Sequence, residues 1–129
     1  MKNDKDYINY KLQKAKQALK EARLLIDNAM NETATSRLYY ASFYAVNALL
    51  VSHGYNPKTH SGSKSLFNKE FILEHKIDPK FSDFYSFIMA KRFEADYEDF
   101  AFIDEKNIEN IYQQTQEFVD TIIGLMNND

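Results

Sequence analysis

The chain has 129 residues, of which 44% are hydrophobic, and this length and composition suit one folded domain with a substantial core. It contains three Gly and two Pro, too few for the many turns of an all-β protein, and no Cys, which excludes disulfides and thiolate-based zinc sites. The polar N-terminus lacks the apolar stretch of a signal peptide, and no apolar run approaches the ~18 residues of a membrane span. We therefore expect a single domain over residues 1–129, cytoplasmic and without a membrane segment.

The net charge of −3 hides an asymmetry between the two ends of the chain. Residues 1–23 carry seven Lys or Arg and three Asp or Glu, whereas residues 94–129 carry one Lys and ten Asp or Glu. Charge runs of this kind are most often solvated helix faces. The functional alternative is a basic N-terminal helix that meets RNA or an acidic partner.

Apolar residues step by four and three along the first thirty positions, which predicts a long amphipathic helix. Its seam is Ile8, Leu12, Ala15, Leu19, Ala22, Ile26 and Ala29. After a break at residues 28–31, a second helix is predicted to open at Thr33 or Thr35 and to end at Gly54. Its seam is Ala34, Leu38, Ala41, Ala45 and Ala48. Alanines on both seams favour close packing of these two helices as an antiparallel hairpin.

The remainder of the chain predicts three more helices. A loop over residues 54–62 leads to a short helix at about 63–75, and Asp78-Pro79 marks the start of a helix that runs to about Tyr97. A short apolar connection over residues 100–103 precedes the last helix, which Asp104 caps. The inward positions of that helix are Ile108, Ile111, Thr115, Phe118, Ile122 and Leu125. The sum is an all-α, antiparallel up-and-down bundle of four main helices plus a shorter fifth helix.

Arg92 lies where the apolar stripe of the fourth helix predicts a core residue. Phe81, Tyr85, Ile88 and Arg92 are spaced by four, three and four, so they share one helix face. An arginine on such a stripe is costly unless it is paired or functional. Asp96 follows at i+4 and can pair with it. Two interpretations stay open, namely a structural ion pair at the bundle edge and an arginine held so that its fork meets phosphate.

The second helix carries a polar stripe beside its alanine seam, made of Arg37, Tyr40, Tyr44 and Asn47. This stripe is either a tyrosine-rich packing face or the wall of a site. His60 lies in the predicted long loop, where a histidine is well placed to titrate, although a loop histidine is more often a capping or surface residue.

Several site types have no counterpart in the sequence. The Glu-x-x-His pairs of di-iron bundles, the His-Glu-x-x-His motif of zinc proteases and the Gly-x-Ser-x-Gly elbow of serine hydrolases are all absent. We expect no metal and no cofactor.

Three segments, taken together and in this order, resemble the HEPN (higher eukaryotes and prokaryotes nucleotide-binding) domain family. They are residues 36–45 (SRLYYASFYA), 59–62 (THSG) and 92–97 (RFEADY). The resemblance covers nearly the whole chain and is greatest to the small stand-alone prokaryotic members. It implies a bundle of four or five helices and a homodimer. Many such relatives are encoded beside a minimal nucleotidyltransferase and act as the toxin of a toxin–antitoxin pair.

The resemblance also implies a chemistry for the arginine. Active members are metal-independent ribonucleases that carry an Arg and, four to six residues later, a His, and the two protomers bring these residues together at the dimer interface. There the His activates or protonates and the Arg stabilises the phosphorane-like charge. Arg92 fits the arginine position, but Tyr97, Glu98 and Asp99 occupy the positions of the histidine. His60 is the remaining candidate for that role.

The leading hypothesis is therefore a module that binds nucleotide or RNA and partners a minimal nucleotidyltransferase. Arg92 is its predicted phosphate contact, Asp96 the orienting partner, and Arg37, Tyr40 and Tyr97 the walls of the site. The alternatives are an active metal-independent ribonuclease toxin that uses Arg92 with His60, and a non-catalytic dimeric adaptor.

Overall fold

The computed structural model describes residues 2–97 and 103–127, and the regular elements in these ranges are all helical. The helices are α1 (Lys2–Asp27), α2 (Asn31–Ser52), α3 (His60–Phe67), α4 (Lys80–Tyr97) and α5 (Glu105–Asn127), and a π-helical turn, Asn68–Ile72, extends α3. The predicted all-α bundle with four main helices and a shorter one is confirmed. Positions Glu98 and Asp99 and most of the predicted connection at 100–103 lie outside the described residues. No helix in the described ranges is long and apolar enough to cross a membrane.

Helix α2 is the central element of the bundle, because it packs against α1, α3, α4 and α5. Its predicted seam is completely buried, and the buried alanines of α1 belong to the same core: Ala15, Ala18 and Ala22. Small side chains on both helices let the two backbones approach closely. The partly exposed side chains of α2 therefore project from a helix whose backbone is held by packing against its neighbours.

Three helical segments end in the same backbone motif, each at a residue with positive φ. These residues are Ala29 (φ 60°), Gly54 (φ 88°) and His75 (φ 58°). At the first of them, the N–H of Met30 bonds to the carbonyl of Leu25 at 2.8 Å, as in a Schellman cap. The predicted end at Gly54 is confirmed. The prediction that Ala29 faces inward is wrong, because Ala29 forms the exposed left-handed turn between α1 and α2.

The start of α2 differs from the prediction. The helix begins at Asn31 rather than at Thr33 or Thr35, and Thr35 is fully buried with its hydroxyl donating to the carbonyl of Asn31 at 2.9 Å. The side-chain amide of Asn31 donates to the carbonyl of Ile103 at 2.8 Å. This bond ties the first turn of α2 to the segment that leads into α5.

The third helix was predicted at about 63–75, and both bounds are wrong. Thr59 has an extended backbone (φ −131°), and its hydroxyl oxygen accepts the N–H of Gly62 at 2.8 Å, so it caps a helix that begins at His60. The helix passes into the π-helical turn at Asn68, and that turn ends at Ile72. His60 is therefore the first residue of a capped helix and is not in a loop.

The predicted starts of the last two helices are confirmed. The carboxylate of Asp78 accepts the N–H of Lys80 at 2.9 Å, and that of Asp104 accepts the N–H of Asn107 at 2.8 Å. The predicted inward residues of α5 are buried except Leu125, which is partly exposed.

An arginine joins α1 to α5. Arg23 donates from Nη1 and Nη2 to the two carboxylate oxygens of Glu109, at 2.9 and 2.5 Å, and it also bonds Asp27. The same guanidinium lies 4.9 Å from the ring centroid of Tyr112. The outer face of the α1–α5 contact is thus closed by an ion-pair cluster.

Candidate functional site

Arg92 ends the buried stripe of α4. Phe81, Tyr85 and Ile88 are at most 8% exposed, whereas the side chain of Arg92 is 20% exposed. The last turn of the stripe therefore carries the guanidinium to the edge of the core, where it faces α2.

Two side chains fix the position of this guanidinium. Its Nη2 donates a hydrogen bond to the hydroxyl of Tyr40 on α2 at 3.0 Å. Its Nε lies 3.0 Å from a carboxylate oxygen of Asp96, as an ion pair whose N–H is not aligned for a hydrogen bond. The other oxygen of Asp96 accepts a hydrogen bond from the hydroxyl of Ser36 at 2.6 Å. The predicted Arg92–Asp96 pair is therefore present, and α2 anchors both of its members.

Aromatic rings surround the same group. The Cζ atom of Arg92 lies 5.4 Å from the ring centroid of Tyr40, 5.6 Å from that of Tyr39 and 5.9 Å from that of Tyr97. These separations are within the range of cation–π attraction. Among the described residues, no acceptor pairs with Nη1 of Arg92. The guanidinium is held by ring faces and one phenol and retains N–H donors for a further anion.

His60 enters the site from the first position of α3. Its ring centroid lies 4.4 Å from that of Phe43, 5.6 Å from that of Tyr39 and 6.1 Å from that of Tyr40. Two of these rings, Tyr39 and Tyr40, also contact Arg92. The structure thus brings together two residues that lie 32 positions apart in the sequence.

A hydrogen bond orients the imidazole. The hydroxyl of Tyr39 lies 2.5 Å from Nδ1 of His60. Tyr39 is fully buried, and burial raises the pKa of its phenol, which therefore stays protonated. A protonated phenol can donate to Nδ1 or accept from Nδ1–H, so the proton of the neutral imidazole lies on Nε2 in the first case and on Nδ1 in the second.

The electrostatic surroundings keep His60 neutral. Its pKa is lowered, first because the ring is partly withdrawn from water and second because of the positive charge of Arg92. A neutral imidazole beside a fixed guanidinium has the two functions of acid–base phosphate chemistry, namely a proton acceptor and a group that stabilises an anion.

A groove of about 370 Å³ opens beside these residues, between α2 and α4. It is lined by Glu32, Thr33, Ser36, Arg37, Tyr40, Ala95 and Asp96. Arg37 lies against the ring of Tyr40, at 5.4 Å from Cζ to centroid, and pairs with Glu21 of α1 at 3.4 Å. A groove of this size with a few convergent polar groups suits a small polar ligand.

A second groove, of about 510 Å³ between α4 and α5, has a different character. It is lined by Lys80, Phe81, Asp83, Phe84, Phe87, Gln114 and Glu117, without an arginine or a histidine. In residues 2–97 and 103–127 there is also no group of three or more His, Cys, Asp or Glu that could hold a metal ion.

All six site residues named from the sequence lie in this neighbourhood: Arg92, His60, Arg37, Tyr40, Asp96 and Tyr97. Tyr97 is 65% exposed at the end of α4, and its ring packs on that of Phe93 with centroids 5.0 Å apart. Ser36, Tyr39 and Phe43 also belong to the site, and they were not predicted from the sequence. A second buried stripe on α2 could have indicated Tyr39, since Thr35, Tyr39, Ser42 and Val46 are spaced by four, three and four.

Comparison with known proteins gives matches along nearly the whole chain. The HEPN domain matches residues 8–125. A protein of Thermotoga maritima named "UPF0332 protein" is 33% identical over 125 residues, which cover 96% of this chain and 95% of that protein. A protein of Methanocaldococcus jannaschii named "Putative toxin MJ0605" is 31% identical over 94% of this chain and 90% of its own length. A second protein of that organism, named "Putative toxin MJ0142", is 36% identical over 67% of this chain and 59% of its own length.

Proposed function

The chain belongs to the HEPN domain family, and on that premise we propose that it is a toxin-like module that binds nucleotide or RNA, with Arg92 as the phosphate contact. One observation carries the proposal: a guanidinium at the edge of the core is fixed by Tyr40 and Asp96, yet keeps donors for a further acceptor. The names of two relatives support the toxin-like role.

The geometry of the guanidinium suits a phosphate group. The planar fork of an arginine matches two oxygens of a phosphate group, and a fork that is already held loses little side-chain entropy on binding. Tyr97 offers an exposed ring within reach of the same group, on which a base can stack. Arg37 and Tyr40 line the neighbouring groove.

The assembly of this domain is part of the proposal. Family resemblance supports a homodimer and a minimal nucleotidyltransferase as the partner protein. Exposed aromatic side chains on α4, such as Phe87 and Phe93, are compatible with such contacts. Sedimentation of the purified chain, alone and after coexpression with a minimal nucleotidyltransferase from the same organism, tests both points. A monomer that does not copurify with that protein would contradict them.

The test of the phosphate contact compares two arginine variants. We expect Arg92→Ala to weaken binding of a fluorescein-labelled 12-nucleotide RNA about tenfold or more, since a charge-assisted hydrogen bond to a ligand is worth about 1.5–3 kcal/mol. Arg23→Ala is the matched control, because it removes the same charge on the α1–α5 side. Fluorescence anisotropy gives the affinities, and circular dichroism verifies that both variants are folded. Equal binding by Arg92→Ala and the wild-type protein would refute the assignment.

A second function, metal-independent ribonuclease activity, is favoured by the position of His60 next to Arg92. In that reaction Nδ1–H of His60 donates to the hydroxyl of Tyr39, which leaves Nε2 free to accept the 2′-hydroxyl proton as the 2′-oxygen attacks the adjacent phosphorus. The new O2′–P bond forms as the P–O5′ bond breaks, and the departing 5′-oxygen takes a proton from water. Arg92 stabilises the phosphorane-like charge, and the products are a 2′,3′-cyclic phosphate and a 5′-hydroxyl.

Digestion of RNA in the presence of a chelator distinguishes the two functions. The ribonuclease hypothesis predicts cleavage by the wild-type protein, none by His60→Ala, and RNA binding that His60→Ala retains. Absence of cleavage at high protein concentration would exclude the second function and leave the binding function standing.

A further inference from the structure

A series of contacts between aromatic rings and cationic side chains extends from Arg92 along α2 to α1. The ring centroids of Tyr40 and Tyr44, one helical turn apart, are separated by 5.8 Å. Two lysines of α1 then approach the ring of Tyr44, with Nζ of Lys11 at 5.3 Å and Nζ of Lys14 at 5.2 Å from its centroid. The Arg92 site is therefore connected to the N-terminal half of α1 through aromatic side chains.

The same two lysines reach outward to exposed tyrosines. Lys11 lies over the ring of Tyr7 and Lys14 over that of Tyr10, each at 5.3 Å, and both pairs are spaced i,i+4 on α1. Tyr7 is 42% and Tyr10 is 55% exposed, so neither ring is needed to fill the core. We name these five residues the tyrosine–lysine track: Tyr7, Tyr10, Lys11, Lys14 and Tyr44.

The charge around the track favours an anionic ligand. Residues 1–23 carry seven Lys or Arg and three Asp or Glu, an excess of four positive charges in a chain whose net charge is −3. Of the nearby carboxylates, Glu21 is paired with Arg37, while Asp6 is exposed next to Tyr7. Positive side chains interleaved with exposed rings are the features by which proteins bind single-stranded nucleic acid.

We propose that the tyrosine–lysine track is a single-stranded RNA-binding surface that extends the Arg92 site along α1. Bases of the strand stack on Tyr7 and Tyr10, Lys11 and Lys14 contact its phosphates, and Tyr44 connects this surface to the phosphate at Arg92. The proposal rests on the proposed function and deepens it, because it specifies the ligand as a single strand of several nucleotides. Ring faces accept unstacked bases, so a duplex of the same sequence binds less tightly.

Two double variants test the track by anisotropy with a fluorescein-labelled 12-nucleotide oligouridylate. Tyr7→Leu with Tyr10→Leu removes the rings and keeps apolar side chains, and we expect affinity to fall about tenfold or more. Tyr7→Phe with Tyr10→Phe keeps the rings and is expected to bind within about twofold of the wild-type protein. Both positions are exposed, and thermal melts verify the fold.

The lysines are tested against a charge-matched control on the same helix. Lys11→Ala with Lys14→Ala removes two phosphate contacts. The negative slope of log affinity against log salt should therefore become shallower by about 1.4. Lys16→Ala with Lys20→Ala removes the same charge from exposed positions outside the track. A smaller loss of affinity and of slope in this control supports the track, and an equal loss overturns it.

The outcomes separate this inference from the proposed function. If Arg92→Ala weakens binding but the track variants bind like the wild-type protein, the track is wrong and the phosphate contact at Arg92 stands. Equal affinity for single-stranded and duplex RNA would also overturn the track. If the wild-type protein binds neither uridine monophosphate nor the oligonucleotide, both proposals fail.

Discussion

Two arginines of this bundle each meet a carboxylate and a tyrosine, yet their surroundings differ. Arg23 makes four hydrogen bonds to carboxylates, two to Asp27 and two to Glu109. Arg92 makes one hydrogen bond, to the phenol of Tyr40, and one unaligned ion pair with Asp96. The guanidinium of Arg23 therefore uses all three of its nitrogens on protein carboxylates, whereas Nη1 of Arg92 has no acceptor among the described residues.

A structural arginine and an arginine that is available to a ligand differ in what surrounds their guanidinium groups. The hydrogen bonds to Glu109 and then to Asp27 raise the pKa of Arg23, and those from Arg23 lower the pKa of Glu109. Both effects are typical of an ion pair that joins two helices. Arg92 is instead surrounded by three rings, which fix its position but do not neutralise it.

Exchange of each arginine for lysine gives the largest expected difference between the two regions. Arg92→Lys keeps the charge but loses the planar fork and its ring contacts, so we expect RNA binding to weaken about tenfold with little change in melting temperature. Arg23→Lys is expected to lower the melting temperature and to leave RNA binding unchanged. Anisotropy titrations and thermal melts on the same preparations measure both quantities.

High salt provides the control for this exchange. The half-exposed Arg23 cluster is screened by salt, so the stability difference between Arg23→Lys and the wild-type protein should shrink at about 1 M salt. If Arg23→Lys weakened RNA binding as much as Arg92→Lys, the distinction between the two arginines would be wrong.

Residues on one helix were predicted well from the sequence, and contacts between helices were not. The four–three spacing placed Arg92 at the end of a buried stripe and Asp96 one turn further on, and both positions are observed. The bond from Ser36 to Asp96 joins residues sixty positions apart. Helical periodicity identifies the buried face of each helix but not which residues meet across the interface.

The start of α3 at His60 was mispredicted for a second reason, namely that one sequence pattern fits two local structures. A threonine with serine and glycine two and three residues later, as in Thr59-His60-Ser61-Gly62, is typical both of a loop and of a helix cap. Thr59 is a cap, which starts α3 three residues earlier than predicted and turns His60 toward Tyr39. The π-helical turn after Phe67 has no signal in the apolar pattern either.

Removal of the hydroxyl group of Tyr39 tests what its hydrogen bond to His60 contributes to stability. Tyr39→Phe deletes the hydrogen-bond partner of His60 and retains the buried ring, so we expect a loss of about 1 kcal/mol in the free energy of unfolding. Burial and the charge of Arg92, which lower the pKa of His60, both remain in this variant, so that pKa should stay below its usual value. Chemical denaturation measures the first effect and an NMR titration of the imidazole the second. A pKa of His60 that returned to its usual value would show that the hydroxyl of Tyr39 is needed to lower it.

Lowering the pH should reduce stability first through the Arg92–His60 region and later through the Arg23–Glu109 region. Of the effects predicted in this Discussion, this is the smallest. The pKa of folded His60 lies below the usual 6.5, so above that pH both the folded and the unfolded chain carry a neutral ring. As the pH falls below 6.5, the unfolded chain takes up the proton first, and stability is lost until the pH passes the folded pKa.

The stability of the Arg23 region changes at lower pH, because the pKa of Glu109 is lowered from 4.5 in the folded protein. The stabilisation that ionised Glu109 provides is lost only as the pH falls from 4.5 through the folded pKa. Melting temperatures of the wild-type protein and of His60→Gln between pH 7.5 and about pH 5 isolate the first loss, since both proteins share the other two histidines. We expect the wild-type protein to lose more stability than His60→Gln over this interval. Arg23→Lys should follow the wild-type curve there, since Glu109 stays ionised above its usual pKa. Parallel curves for the wild-type protein and His60→Gln would mean that His60 is not held neutral beside Arg92, and the acid–base role proposed for it would lose its basis.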